Sequence, residues 1–166
     1  MHLRQHAPWF LLAALAAPLA TYAADANDIA EGMRIFHQKA NCQACHGWAG
    51  DGRKMDAQMP DGANLRETKL DRSGLVLIVK CGLPGTGMPA FDRFAYSDGR
   101  CGRTQADLKA QGVALFDAGA TLQPREIELV ADFMLAKMVG KGPMDRKKCA
   151  EFWGSSADAQ VCGELK

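Results

Sequence analysis

The chain has 166 residues, of which 48% are hydrophobic and 23% are charged, and this length and composition are typical of a single globular domain. Twenty Lys and Arg residues against 19 Asp and Glu residues leave a formal net charge of +1. Because neither sign of charge dominates, the composition argues against a protein that binds nucleic acid or anionic membranes through its overall charge.

The first 23 residues have the pattern of a cleaved export signal. A weakly basic start with Arg4 precedes an apolar run at 9–20, and small residues follow where a signal peptidase cuts. A membrane anchor is the alternative, but the run is short for a bilayer and contains Pro18. We therefore predict a signal peptide at 1–23, a mature domain at 24–166 without stable membrane insertion, and a periplasmic location where disulfides can form.

Residues 27–40 have the pattern of a helix that leads into a cysteine motif. An apolar face recurs at helical spacing: Ile29, Met33 and Phe36. Asn27 or Asp28 can cap the first turn, because a short polar side chain accepts a hydrogen bond from its free amides. Gly32 lies beside the apolar face, so another backbone can approach the helix closely there.

The stretch NCQACHG at 41–47 contains the C-x-x-C-H sequence by which c-type haem is attached. Two thiols at this spacing reach one edge of a porphyrin and can form thioethers with its two vinyl groups. The histidine that follows can reach the iron from the proximal side. The motif predicts one covalently attached haem c, bound through Cys42 and Cys45, with His46 as an axial ligand.

The motif has three other interpretations. A thioredoxin-like redox disulfide calls for a βαβ context, and the sequence contains none. A zinc ribbon needs a second close Cys or His pair, whereas the other four cysteines are far apart. A chance C-x-x-C-H that forms a structural disulfide stays open at this point, although the helix and the export signal favour haem.

The rest of the chain alternates irregular segments with two helices. Glycine and proline among polar residues indicate a loop at 48–69 and an irregular segment at 82–89. Between them, residues 70–82 predict a short helix capped by Asp71. The segment 90–123 has little periodicity. The clearest helix follows, with Pro124 in its first turn, Gly140 at its end and one apolar stripe: Ile127, Val130, Met134 and Met138. No strand pattern is present, so the fold class is mostly α.

Met88 is the predicted second axial ligand of the iron. It lies in the segment GLPGTGMP, whose glycines and prolines can fold flat over a macrocycle. Met59 is the main rival, but it follows His46 by only 13 residues, a short path from one haem face to the other. Because no histidine follows His46, a methionine is expected in the sixth position. His37 lies upstream, where we expect it to face solvent or pack on the surface.

With these motifs, the chain resembles the class I cytochromes c over most of residues 28–140. The motif CQACH ends the first helix, GMPAF carries Met88, and EIELVADFMLAKM is the last helix. The resemblance implies helices wrapped around one haem. It also implies that the first and last helices cross at a glycine and an aromatic residue, here matched by Gly32 and Phe36 with Phe133.

A narrower resemblance is to the small periplasmic cytochromes that accept electrons from PQQ-dependent alcohol dehydrogenases. The matching segments are LRETKLDRSGLVLIVKCGLPGTGMPAFDRFAYSDGRCG at 65–102 and LQPREIELVADFMLAK at 122–137. This resemblance implies a quinoprotein dehydrogenase as the electron donor.

The four remaining cysteines predict two disulfides in an oxidising compartment. Proximity in sequence favours Cys81 with Cys101, which would close a loop of about twenty residues around Met88 and fix the start of an insertion at 90–123. It also favours Cys149 with Cys162, which would fasten a C-terminal extension at 141–166. In the insertion, Arg93 or Tyr96 is a candidate to bond a haem propionate, or the loop forms part of a docking face. We expect Trp48, just beyond the motif, to pack in the haem pocket.

The predicted function is that of a monomeric one-electron carrier. Haem iron with two strong axial ligands has no open position for a substrate, so we expect no enzyme activity. The expected acceptor is another cytochrome or a terminal oxidase. The alternative is a haem enzyme or gas-binding cytochrome with an open sixth position, which requires that Met88 does not bind the iron.

Overall fold

The computed structural model describes residues 24–154, 162, 163 and 165. Within these residues all regular secondary structure is helical, and the predicted mostly-α fold class is confirmed. None of the described helices is both long enough and apolar enough to cross a membrane. The predicted signal peptide at 1–23 lies outside the described residues.

The described part of the chain contains six α-helices and one π-helical segment, joined by loops. In chain order they are α1 Ala26–Arg34, the π-helical segment Ile35–Lys39, α2 Gln43–His46, α3 Arg72–Cys81, α4 Gln105–Ala110, α5 Pro124–Lys137 and α6 Arg146–Trp153.

Helix α1 begins at Ala26, one residue before the predicted start at 27. Asp25 is the N-cap, and its carboxylate accepts a 2.8 Å hydrogen bond from the amide of Asp28, so the prediction of Asn27 or Asp28 as the cap is wrong. At its other end the helix widens into a π-helical turn, in which the amide of Ala40 donates to the carbonyl of Ile35 at 2.9 Å. Such a turn accommodates one extra residue without ending the helix.

The crossing of α1 and α5 forms the centre of the fold. A Cβ atom at Gly32 would collide with the carbonyl oxygen of Leu129 and lie 2.7 Å from the Cβ atom of Phe133. The two backbones therefore touch at a point that admits only glycine. Beside it, the rings of Phe36 and Phe133 pack with centroids 5.6 Å apart. The glycine and aromatic contact implied by the family resemblance is confirmed.

Helix α3 also packs against α5. Its N-cap is Asp71, as predicted, with a 2.8 Å bond from the amide of Gly74. Leu75 and Val79 of α3 are buried in the core. At the start of α3, the guanidinium of Arg72 donates to both carboxylate oxygens of the buried Asp132, at 2.6 and 3.1 Å. The predicted apolar stripe of α5 is buried in full, which is consistent with its central position.

Arg66 is a buried cation whose role the sequence does not reveal. It is 2% exposed, and its guanidinium donates to the carbonyls of Gly142, Lys137 and Ala49 at 2.5, 3.3 and 3.4 Å. These carbonyls belong to the end of α5, the chain beyond it and the loop after α2. Arg66 therefore ties the C-terminal extension to the segment that follows the cysteine motif.

The insertion and the extension each contain a short helix that the sequence analysis missed. Helix α4 begins with a capping box between Thr104 and Asp107, and α6 is capped by Asp145. Both predicted disulfides are present and confirmed: Cys81–Cys101 and Cys149–Cys162, with Cα atoms 5.7 and 5.6 Å apart. The first anchors the insertion to the end of α3, and the second fastens α6 to the end of the chain.

Candidate haem site

A cavity of about 320 Å³ lies between α2, the segment 59–63, α3 and the loop that carries Met88. Its walls are mostly apolar and include side chains from α3 and α5: Leu75, Ile78, Val79 and Met134. All four predicted site residues line it: Cys42, Cys45, His46 and Met88. The structure thus brings together residues that are separated by more than 40 positions in sequence.

The cysteine motif forms a tight turn directly after the π-helical segment. The amide of Cys42 donates to the carbonyl of Phe36, and the amide of His46 donates to the carbonyl of Cys42, both at 2.9 Å. The side chain of Gln43 closes a ring with His37: its Nε2 donates to the His37 carbonyl, and its Oε1 lies 2.9 Å from His37 Nδ1. These bonds fix the turn to the helix that precedes it.

His37 lies inside an aromatic cluster, so the expectation that it faces solvent or packs on the surface is wrong. Its ring is 5.2 Å from Phe36 and 5.5 Å from Trp153, and its Nε2 is buried with no hydrogen-bond partner among the described residues. Burial lowers the pKa of His37.

Trp48 was expected to pack in the haem pocket, and this expectation is wrong. Trp48 does not line the cavity and instead packs on Phe152 and Trp153 of α6.

His46 is held in the tautomer that a metal ligand requires. Its Nδ1 lies 2.8 Å from the carbonyl oxygen of Ala63. Because a carbonyl oxygen only accepts, Nδ1 carries the proton, and the lone pair of Nε2 is left for a metal. Burial lowers the pKa of His46 and therefore also favours the neutral imidazole.

The two motif thiols are unpaired, whereas the other four cysteines form the two disulfides. Burial raises the pKa of Cys42 to about 12 and also raises the pKa of Cys45, so both are neutral thiols at pH 7. A low-pKa thiolate, typical of redox-active C-x-x-C sites, is therefore not formed here. A zinc ribbon would need further cysteines, and all of those are in disulfides.

The loop that carries Met88 is stabilised by its own hydrogen bonds. The amide of Leu83 donates to the carbonyl of Met88 at 3.0 Å, and the amide of Met88 donates to the hydroxyl of Thr86 at 3.1 Å. Gly82 has φ +63°, and a Cβ atom there would lie 2.5 Å from the carbonyl carbon of Pro89. Glycine thus provides both the backbone conformation and the space that bring Met88 back towards the end of α3.

Met59 lines the same cavity but differs from Met88 in its contact with the core. Met88 packs against the hydrophobic core, whereas Met59 is not among the side chains packed on it and follows an exposed stretch at 53–58. The two segments touch, because a Cβ atom at Gly87 would meet the ring of Pro60. The geometry therefore favours Met88 as the ligand and keeps Met59 as its rival.

The residues of the insertion that were candidates for a haem propionate do not reach the cavity. The hydroxyl of Tyr96 donates to the carbonyl of Cys81, and the guanidinium of Arg93 lies 4.2 Å from the ring centroid of Phe94. Neither residue is among those that line the cavity. The structure thus does not support the propionate contact expected for either residue.

The donor set fits a covalently attached haem. Two neutral thiols, an imidazole with Nε2 available and a thioether all face one largely apolar cavity, whose volume is in the range of small-molecule sites, about 300–1,000 Å³. Two thioether links hold a c-type haem, and a histidine nitrogen with a methionine sulfur is the axial ligand pair of the cytochromes c.

Comparison with known proteins agrees with this assignment. Residues 27–102, a segment that includes all four candidate residues, match the family model described as cytochrome c oxidase, cbb3-type, subunit III. The matched segment is therefore similar to a c-type cytochrome domain, a kind of domain that carries haem c and transfers electrons.

No curated protein matches the chain. Among solved structures, a chain of the reducing HAO-like protein complex of Kuenenia stuttgartiensis is similar, with 19% identity and a TM-score of 0.42. The alignment covers 69% of this chain and 45% of that chain, so this protein spans less than half of the length of its structural neighbour.

Proposed function

We propose that the protein is a periplasmic one-electron carrier with one haem c, attached through Cys42 and Cys45 and ligated by His46 and Met88. The observation that carries the proposal is the convergence of these four side chains on one apolar cavity. When bound, the haem supplies the chemistry, a one-electron change between Fe(III) and Fe(II).

The chain contributes ligands, orientation and exclusion of water. The carbonyl of Ala63 orients the His46 ring and increases the basicity of its Nε2. A thioether from Met88 would fill the sixth position and raise the reduction potential, since sulfur favours the reduced iron. The apolar walls supplied by α3 and α5 lower the local dielectric constant and keep water from the metal.

We propose no bond chemistry on a substrate. An enzyme with an open sixth position would need an acid-base group beside the iron. His46 is the only histidine among the described residues that line the cavity, and it is assigned to the proximal side. Two carboxylates also belong to the lining: Asp61 is 86% exposed and is paired with Lys54 at 3.0 Å, and Asp117 accepts a 2.9 Å bond from the amide of Gly119.

The proposed donor is a PQQ-dependent alcohol dehydrogenase, and the proposed acceptor is another cytochrome or a terminal oxidase. The support for the donor is the resemblance at 65–102, which includes the disulfide-closed part of the insertion. The two disulfides support an oxidising compartment and therefore export. We propose that the carrier is a monomer, as a protein that makes brief contacts with successive partners can be.

Absorption spectroscopy of the purified holoprotein tests the ligand assignment. We expect a low-spin reduced form that carbon monoxide does not change, and an oxidised form with a weak methionine-to-iron band at long wavelength. Met88→Ala should abolish that band and admit carbon monoxide, whereas the matched variant Met59→Ala should keep the wild-type spectrum. Loss of the band in Met59→Ala alone, or carbon monoxide binding by the wild type, would contradict the proposal.

A further inference from the structure

The two arms of the insertion enclose a second hollow, next to the haem cavity. It has a volume of about 580 Å³ and is lined by residues of 90–97 and 115–121, together with Leu83, Pro84 and Gln105. Six residues line both spaces: Leu83, Met88, Pro89, Phe116, Asp117 and Ala118. A group seated in the hollow would therefore be separated from the haem cavity only by these side chains and their backbone.

The hollow is a rigid, preformed feature. The disulfide from Cys81 anchors the first arm, and the amide of Phe91 donates to the carbonyl of Val79 at 3.1 Å. The second arm is tied to the first by a 2.9 Å bond from the amide of Leu122 to the carbonyl of Phe91. A preformed site loses little conformational entropy when a partner binds, which favours brief but specific contact.

Three exposed apolar side chains stand together at the rim of the hollow, among polar ones. Leu83, Leu115 and Phe116 are 45, 41 and 41% exposed, and all three line it. They are three of the seven large hydrophobic side chains that are exposed in the described part of the chain. Exposed apolar side chains gathered around a concave surface are typical of a site that another molecule covers.

One cation at this rim has no acidic partner. Arg93 makes no ion pair or hydrogen bond with a described residue, and its guanidinium lies over the ring of Phe94. Arg100 pairs with Asp92 and Asp98 at 3.1 and 2.6 Å, whereas Asp117, which also lines the hollow, accepts a 2.9 Å bond from the amide of Gly119. The hollow therefore combines a group of exposed apolar side chains with one guanidinium that is available to a carboxylate.

We infer that this hollow is the docking site of the protein electron donor, which would insert an apolar side chain flanked by an Asp or Glu. The apolar side chain would fill the space between the arms, the carboxylate would meet Arg93, and the contact would lie beside Met88. This inference rests on the proposed function as an electron carrier, and it adds where and by what chemistry the donor binds.

Stopped-flow reduction of the haem-loaded protein tests the inference. The probes are a PQQ-dependent alcohol dehydrogenase reduced by its alcohol, and ascorbate, which needs no protein docking. We expect Arg93→Glu and Leu115→Asp each to lower the second-order rate with the dehydrogenase about tenfold, and to leave the rate with ascorbate unchanged.

Two matched controls lie outside the hollow. Arg53→Glu changes the same charge at a side chain that is 83% exposed, and Leu77→Asp makes the same apolar-to-acidic change at a residue that is 57% exposed on α3. Both should react with the dehydrogenase at the wild-type rate. A loss in the controls as large as in the hollow variants would overturn the inference.

The remaining outcomes are equally decisive. Wild-type rates for both hollow variants would show that the donor docks elsewhere, with the electron-carrier function intact. A loss of rate with ascorbate as well would place the effect at the haem and overturn the inference. If the dehydrogenase does not reduce the wild type at all, the proposed donor is wrong and the docking assignment fails with it. A wild-type dimer in sedimentation velocity that Leu115→Asp dissociates would make a second copy of the chain the occupant instead.

Discussion

The two segments that supply the proposed iron ligands are held in different ways. The attachment turn Gln43–His46 is fixed mainly by near neighbours in sequence, through the Gln43–His37 ring and the bond from Cys42 to Phe36. The Met88 loop depends on a wider frame, which includes Pro60 packed on Gly87 and the disulfide that joins the end of α3 to Cys101. Changes at positions distant in sequence should therefore disturb the Met88 loop more than the attachment turn.

The strongest way to sharpen this comparison is to remove the disulfide that anchors the Met88 loop. Cys101→Ser opens a loop of 20 residues and should lower the free energy of unfolding by about 3 kcal/mol. Chemical denaturation measures this loss, and the methionine-to-iron band reports the loop. Cys162→Ser is the matched control: it opens a loop of 13 residues and should cost a similar amount of stability while leaving the band unchanged. Equal effects of both variants on the band would break the comparison.

A glycine pair separates crowding from backbone strain in the Met88 loop. Gly82 and Gly112 both have positive φ, but a Cβ atom would clash with Pro89 and Ala90 only at Gly82. Gly112→Ala should cost about 1 kcal/mol of stability from its backbone conformation alone, and Gly82→Ala about 2 kcal/mol more because the loop must shift. Thermal denaturation gives both values. Equal losses would show that the loop does not need the close approach at Gly82.

Gln43→Ala tests the attachment turn, because it removes the side chain that bonds this turn to His37. Two hydrogen bonds to His37 are lost, so we expect a loss of about 1–2 kcal/mol in the free energy of unfolding. The control Gln38→Ala alters an exposed side chain of the preceding helix and should have almost no effect. The methionine-to-iron band should persist in both variants, since neither touches the Met88 loop. Urea denaturation measures the stability, and absorption spectra of the same variants report the band. A Gln43→Ala variant as stable as Gln38→Ala would contradict the prediction.

The smallest effect concerns the protonation of His37. Burial makes the pKa of His37 lower in the folded state than its ordinary value near 6.5, so below that value the unfolded chain binds more protons. Stability is therefore complete above pH 6.5 and decreases as the pH falls towards the pKa of the folded state. Denaturation of the holoprotein between pH 7.5 and 5.5 should show this loss in the wild type and a shallower one in His37→Asn. Parallel pH profiles would contradict it.

The features that the sequence predicts are those encoded in neighbouring residues. The C-x-x-C-H motif, the stripe Ile127–Val130–Met134–Met138 and the cap at Asp71 each depend on spacing within a few turns, and the structure contains all three. Helices α4 and α6 were missed because their six and eight residues are too short for a periodic pattern to stand out. The sequence signals that could have indicated these helices are their N-terminal caps: Thr104 with Asp107 for α4, and Asp145 for α6.

The features that the sequence does not predict depend on segments that meet only in the folded chain. His37 and Trp48 were misplaced because α6, more than 90 residues further on, covers both with Phe152 and Trp153. The buried guanidinium of Arg66 and the hollow between the insertion arms have the same origin. No local sequence pattern indicates which carbonyls surround Arg66, or that the hollow and the haem cavity share a wall that includes Met88.

The central claim is that one haem is covalently bound to the attachment turn. Mass spectrometry of the peptide that contains Cys42 and Cys45, prepared from protein exported by a host with a cytochrome c maturation system, tests it most directly. We expect one haem adduct on that peptide, and the adduct should survive extraction with acidified acetone. An unmodified peptide with two free thiols, or with a Cys42–Cys45 disulfide, would contradict it.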